Sequence, residues 1–118
     1  VETQGGWEIG VPGDNATAGL WVRDIPIGTW EGLDPVQPEA DHSPEASSCF
    51  VIGNTEFTGE NSGAGDVDGG RTTLLNPTFT IPPGVSPVIS YWRWYSNDLG
   101  FDPGTDTWLV EVQDQGGI

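Results

Sequence analysis

The sequence Pro-Val-Ile-Ser-Tyr-Trp-Arg-Trp-Tyr, residues 87–95, is the stretch that decides the predicted fold. Successive side chains of a β-strand point to opposite faces of the sheet. The two faces of this strand would carry Val88, Ser90, Trp92, Trp94 and Ile89, Tyr91, Arg93, Tyr95. Because both faces are bulky, we expect a central strand with Trp92 and Trp94 packed in the core.

Short runs of β-branched and aromatic residues recur along the chain, bounded by Gly, Pro, Asp and Asn. Residues 107–112 are the second clear strand, with Trp108, Val110 and Val112 facing the core, and the simplest topology pairs them with 87–95 across the loop 97–106. Further strands are predicted at 19–23, 48–52, 72–75 and 78–81, and three prolines predict an extended loop at 34–44. No long run has helical periodicity. The pattern predicts an all-β fold, an antiparallel β-sandwich of the jelly-roll type, with residues 1–118 as a single domain.

The composition excludes several classes of partner. The 118 residues include 18 acidic residues, three arginines and no lysine, which gives a formal net charge of −15. Nucleic-acid recognition needs clustered Lys and Arg, and an anionic membrane surface would repel this chain. No stretch is apolar enough to span a bilayer, so neither nucleic acid nor membrane insertion is expected.

The single cysteine and single histidine exclude two further kinds of site. One cysteine cannot form an internal disulfide, and one His with one Cys does not make a zinc set. Cys49 lies in an apolar run, and we expect it to serve as a buried small hydrophobe.

Four loops concentrate oxygen ligands of the kind that calcium prefers. They are residues 13–15, 37–42, 65–70 and 97–106. Asp66 and Asp68 lie on a backbone that Gly70 allows to turn, while Asp102 and Asp106 flank a Pro-Gly-Thr turn. The alternative is a set of solvated turns in which the aspartates cap backbone N–H groups.

No catalytic constellation is evident. Asp41, His42 and Ser43 have the residue types of a triad, but adjacency in sequence does not make one, so we expect no enzyme activity. The six tryptophans raise the possibility of a carbohydrate-binding module, for which Trp30 is the tryptophan expected to be exposed. Asn15 begins an N-glycosylation sequon, Asn-Ala-Thr.

A set of motifs spread over nearly the whole chain resembles one known group of domains. The motifs are Gly-Trp-Glu-Ile-Gly at 6–10, Gly-Leu-Trp at 19–21, Pro-Val-Gln-Pro-Glu at 35–39, Asp-Val-Asp-Gly-Gly at 66–70 and Ile-Ser-Tyr-Trp-Arg-Trp-Tyr at 89–95. Together they look like the MAM-like jelly rolls of the choice-of-anchor and cleaved-adhesin type, which are accessory domains of secreted bacterial proteins. The resemblance implies an extracellular or cell-surface module with structural Ca²⁺ and no catalytic role. By motif position it places Asp66, Asp68, Asp102 and Asp106 near the metal, with Asp41 and Asp14 as weaker candidates.

The sequence departs from that group at its end. Such domains usually continue for several strands beyond the one at 110–112, whereas this sequence stops at Ile118. We therefore expect a sandwich that another segment or another chain completes, because unpaired strand edges recruit partners. Strand exchange between identical subunits that does not close would give a filament.

Three functions stay open. They are a calcium-stabilised module for adhesion or structural assembly, a self-assembling filament subunit, and a carbohydrate-binding module. The expected partners are identical subunits or a parent secreted protein, with glycans as the alternative.

Overall fold

The computed structural model describes residues 2–44, 47–54, 65–98 and 102–116. Within these residues the fold is all-β, with no helix, which confirms the predicted class. Seven short strands form three small antiparallel sheets. The strands are β1 (Glu2–Gln4), β2 (Trp7–Ile9), β3 (Trp21–Asp24), β4 (Thr29–Glu31), β5 (Asp34–Gln37), β6 (Cys49–Ile52) and β7 (Leu74–Leu75).

The first sheet has the order β1-β2-β7. Gly5 and Gly6 join β1 to β2, and their φ angles of 59° and 85° are the two positive values that a tight type I′ hairpin turn requires. Ile9 pairs with Leu74 of β7 and is one of the two buried apolar side chains among the described residues. The prediction of a strand at 72–75 is therefore confirmed at its last two residues, whereas the β1–β2 hairpin was not predicted.

The second sheet pairs β3 with β6, from Trp21 opposite Ile52 to Asp24 opposite Cys49. Both strands confirm predicted segments, 19–23 and 48–52, to within two residues at each end. Val51 of β6 is the second buried apolar side chain. This sheet packs against the first through Trp7 and Phe50, whose ring centroids lie 5.0 Å apart at an interplanar angle of 43°.

The third sheet is the β4–β5 hairpin, and it corrects the prediction of an extended loop at 34–44. Residues 34–37 form a strand, in which Pro35 lies opposite Trp30. A proline removes one ladder donor, but both strands of a two-stranded sheet are edges, so the missing N–H can face away from the partner. The three prolines therefore did not exclude a strand.

The strands predicted at 78–81, 87–95 and 107–112 are not formed, and this is the main error of the sequence-based fold. Trp92 and Trp94, predicted to be core residues, are 76% and 53% exposed, and Val112 is 69% exposed. Alternating apolar residues show that a segment can pair, but a strand also requires a partner. None of the described strands supplies a ladder to these segments.

The loop 97–106, of which residues 99–101 lie outside the described residues, still brings the two segments together. Its ends meet through side chains, because the Asn97 amide and the Tyr95 hydroxyl donate to the Asp106 carbonyl at 2.7 and 3.2 Å. Trp108 then packs edge-on against Trp21 of β3, with ring centroids 5.7 Å apart. The C-terminal part of the chain is thus attached to the second sheet through an aromatic contact.

The contact between Trp7 and Phe50 predicts an energetic coupling between the first two sheets. Trp7→Ala and Phe50→Ala should each destabilise the protein, and the double variant should cost less than the sum by about 1 kcal/mol, since the ring pair is lost only once. Urea unfolding of the four proteins measures this coupling. Trp30→Ala is the matched control, and additive effects for Trp7 and Phe50 would show that the sheets do not communicate through these rings.

Candidate acidic-loop site

The first and third acidic loops are joined by a set of long-range hydrogen bonds, which we call the loop junction (residues 10–18 with 66–73). Thr17 N donates to the Asp68 carbonyl at 2.8 Å, and Asp68 N donates to the Ala18 carbonyl at 3.3 Å, which forms an isolated antiparallel bridge. The backbone N–H groups of Asn15 and Ala16 share the Arg71 carbonyl, each at 3.1 Å. These bonds hold segments that lie 50 or more residues apart in sequence in fixed register.

Gly19 shows how closely the two loops approach. Its φ angle is 66°, and a β-carbon at this position would collide with the backbone carbonyl of Asp66. The position therefore requires glycine for both its backbone conformation and its contact distance.

The carboxylate of Asp14 is the central acceptor of the junction. One oxygen, Oδ2, accepts from the backbone N–H groups of Val11 at 3.1 Å and Thr73 at 2.8 Å. The other, Oδ1, accepts from the Thr73 hydroxyl at 2.7 Å and from Arg71 Nε at 3.3 Å. A carboxylate has about four acceptor positions, so these four donors use its capacity.

These bonds govern the ionisation of Asp14. Burial pushes its pKa upward, but the hydrogen bonds from Thr73, Val11 and Arg71 outweigh burial and hold the pKa below its ordinary value. The structure thus gives Asp14 a role in closing the junction. Its assignment as a calcium ligand stays a prediction, against which its occupied acceptor positions weigh.

The carboxylate of Asp106 lies close enough to the third acidic loop to interact electrostatically with Asp66 and Asp68. Although the residue is exposed as a whole, partial burial raises the pKa of its carboxyl, and the negative charges of Asp66 and Asp68 raise that pKa further. Three of the predicted metal-site residues are therefore brought within electrostatic range of one another. In the described part of the chain, no group of three His, Cys, Asp or Glu residues is arranged closely enough to hold a metal ion.

The other two predicted ligands lie elsewhere in the described contacts. The carbonyl oxygen of Asp102 accepts from the Thr105 hydroxyl at 2.7 Å, as in a capped turn. Asp41 lies near Cys49. Burial raises the pKa of the Cys49 thiol, and the negative charge of Asp41 raises that pKa further. Cys49 is half-buried, so the expectation of a buried cysteine is met in part.

The aromatic residues differ from the sequence-based prediction. Trp30 is 41% exposed, as expected, but Trp92 and Trp94 are more exposed. Trp92 stacks on His42, with ring centroids 3.8 Å apart and an interplanar angle of 16°. Asn15 of the sequon is exposed, and its side-chain oxygen accepts from Arg71 N at 3.0 Å, which adds it to the loop junction.

Asp14 predicts a specific dependence of stability on acid pH. Its folded-state pKa is lowered, so its contribution is fully present above the unfolded-state pKa of about 4 and is lost as pH falls through the folded-state pKa. Asp14→Asn should lower the free energy of unfolding at pH 7 by about 1–3 kcal/mol, the cost of weakening bonds to a charged acceptor. Thermal melts of both proteins between pH 2 and pH 7 measure the effect.

The stability difference between the wild type and Asp14→Asn should shrink toward acid pH. Asp24→Asn is the matched control, since the Asp24 carboxylate accepts only from the adjacent Ile25 N in the described contacts. A constant difference across this pH range would contradict the role given to Asp14.

Comparison with known proteins does not extend this description. No protein-family model, no curated protein and no solved structure matches the chain. Within the described residues, no helix is long and apolar enough to cross a membrane. The function is therefore proposed from the contacts, exposure and charges of the chain's own residues, together with the motif resemblance.

Proposed function

We propose that this chain is a non-catalytic, extracellular β-sandwich module that assembles with identical copies by strand pairing and is stabilised by calcium. The observation that carries the assembly is the exposed apolar surface of residues 79–112. The resemblance to MAM-like accessory domains supports the same class of module. It also supports a parent secreted protein as the source of further contacts.

The exposed apolar side chains are concentrated in one part of the chain. Of the sixteen large apolar residues exposed among the described residues, twelve lie between 79 and 112. They are Phe79, Ile81, Val85, Val88, Ile89, Tyr91, Trp92, Trp94, Tyr95, Leu109, Val110 and Val112. Large exposed apolar side chains concentrated to this extent in one segment indicate an interaction surface.

The same segment has the pattern of strands and lacks ladder partners in the described sheets. Residues 87–95 and 107–112 are rich in aromatic and β-branched residues, which favour β-structure. Unpaired N–H and C=O groups along such segments are satisfied by adding a strand from another chain. Strand pairing would cover the apolar side chains and the backbone groups together.

The charge distribution favours a second copy as the partner. In a chain with a net charge of −15, residues 76–97 contain one charged residue, Arg93, and no acid. Two copies that meet through this segment therefore avoid the repulsion between their acidic surfaces. Repetition of such a contact without closure would give a filament, and closure would give a discrete oligomer.

The calcium part of the proposal depends on Asp66, Asp68 and Asp106. Burial raises the pKa of Asp106, the charges of Asp66 and Asp68 raise it further, and a bound divalent cation would relieve the repulsion among these three carboxylates. Calcium accepts six to eight oxygen ligands in flexible loops, so backbone carbonyls and water would complete its shell. Asp102 belongs to the same loop as Asp106, whereas Asp41 and Asp14 have other described contacts.

Self-association is the first expected outcome. The purified chain should associate in a concentration-dependent manner between about 1 and 100 μM, a range typical of moderate interface affinities. Val88→Glu should weaken the association at least tenfold, because it places a charge on a side chain that is 89% exposed within the apolar segment. Leu33→Glu is the matched control, since Leu33 is 97% exposed outside that segment. Sedimentation equilibrium measures both, and a chain that is monomeric and cooperatively folded at these concentrations would refute assembly.

Calcium binding is the second expected outcome. Calcium that binds only the native state should raise Tm, and at a concentration one hundred times the dissociation constant it stabilises by about 2.7 kcal/mol. Asp66→Asn combined with Asp68→Asn should abolish the increase, while Glu8→Gln combined with Asp24→Asn should retain it. Melts with calcium, with chelator, and with sodium chloride at matched ionic strength separate binding from screening. An equal response to the sodium salt would remove calcium from the proposal.

A further inference from the structure

A groove of about 330 Å³ lies between the β4–β5 hairpin and residues 94–98, at the start of the fourth acidic loop. Three carboxylates and two aromatic rings contribute to its lining, namely Glu31, Asp34, Asp98, Trp94 and Tyr95. The volume is within the range of small-ligand sites, about 300–1,000 Å³. The groove therefore combines aromatic surface with negative charge.

The two rings are held by their polar ends. The indole N–H of Trp94 donates to the carbonyl oxygen of Val36 in β5, and the Tyr95 hydroxyl donates to the Asp106 carbonyl at 3.2 Å. With these groups bonded, the rings contribute apolar surface and π-electron density to the groove. Trp94 also connects the segment to the hairpin that carries the acids.

The hairpin places two like charges opposite each other. Glu31 and Asp34 are direct cross-strand partners on either side of the Gly32–Leu33 turn. Like charges in that position destabilise a hairpin. Asp98 adds a third carboxylate to the same groove, with one oxygen accepting from the Ser96 hydroxyl at 3.1 Å.

Among the described residues, no positively charged side chain lies at the groove to balance these charges. It has three arginines and no lysine. Arg71 pairs with Asp14, Arg93 lies 5.8 Å from the Trp108 ring centroid, and Arg23 lies beside Gly5 at a different groove. None of them lines the groove at the β4–β5 hairpin. A cationic ligand would supply the counter-charge that the arginines do not.

We propose that this groove binds an organic cation that carries an alkylammonium or guanidinium group. Carboxylates pair with such a group by charge-assisted hydrogen bonds, and aromatic rings attract it through cation–π interaction. A metal ion would use the carboxylates but gain nothing from the two rings, and a neutral sugar would use the rings but gain nothing from the net charge. The inference concerns the unassembled chain, because Trp94 and Tyr95 also belong to the apolar segment proposed for assembly.

The test is a titration of the whole chain with n-butylammonium chloride, followed by the NMR shift of the tryptophan indole N–H groups. The expected result is saturable binding that weakens as salt is added, since exposed charges are screened. Glu31→Gln combined with Asp34→Asn should weaken binding at least tenfold. Trp94→Leu should do the same, and Trp94→Phe should restore much of the loss because it retains a ring.

Matched variants and ligands make the outcome decisive. Glu8→Gln combined with Asp24→Asn, and separately Trp92→Leu, should leave the affinity unchanged, and Tm of every variant establishes that it is folded. An Nα-acetyl-lysine amide probe that binds at least tenfold more tightly than butylammonium would indicate a peptide side chain as the source, whereas equal affinity would indicate a free amine. Equal binding of neutral n-butanol, binding of a glucose oligomer in place of the amine, or no binding would overturn the proposal.

Discussion

The Asp14 carboxylate is the contact on which the described fold most depends. It collects donors from Val11, Arg71 and Thr73 and so connects the end of the first hairpin to the segment that enters β7. The pairing of β2 with β7 and the bridge between Ala18 and Asp68 join the same two parts of the chain. Its partners lie up to 59 residues away in sequence, so a single side chain joins two distant segments of the chain.

The fold was predictable where local chemistry decides the structure. The runs that became β3 and β6 are short, apolar and rich in β-branched or aromatic residues, and they pair with each other. Residues 87–95 have a stronger strand pattern and yet form no ladder, since periodicity describes what a segment is able to do and not whether a partner strand is within reach. Conversely, β5 was predicted as a loop because of its proline. Pro35 is nevertheless compatible with a strand at the edge of a two-stranded sheet.

The candidate site was predictable in its residue types and less so in its grouping. Asp66 and Asp68 share one turn, and the structure adds the field of Asp106, which sequence spacing alone did not fix. Asp14 has the same residue type and a similar glycine-flanked setting, but donors from a distant segment decide its role. The acids of the groove were not predicted at all. The available indication was the Glu-Gly-Leu-Asp sequence at 31–34, which places two acids at the facing positions of a two-residue turn.

The absence of acids from residues 76–97 has a consequence for colloidal behaviour. At neutral pH, the net charge of −15 keeps molecules apart, and the apolar segment works against that repulsion. As the solution approaches the isoelectric point of about 4.1, the repulsion disappears while the apolar segment is unchanged. The acidic surface thus keeps the molecules apart to an extent that depends on pH and salt. Lowering the pH toward the isoelectric point favours association without any change in the apolar segment itself.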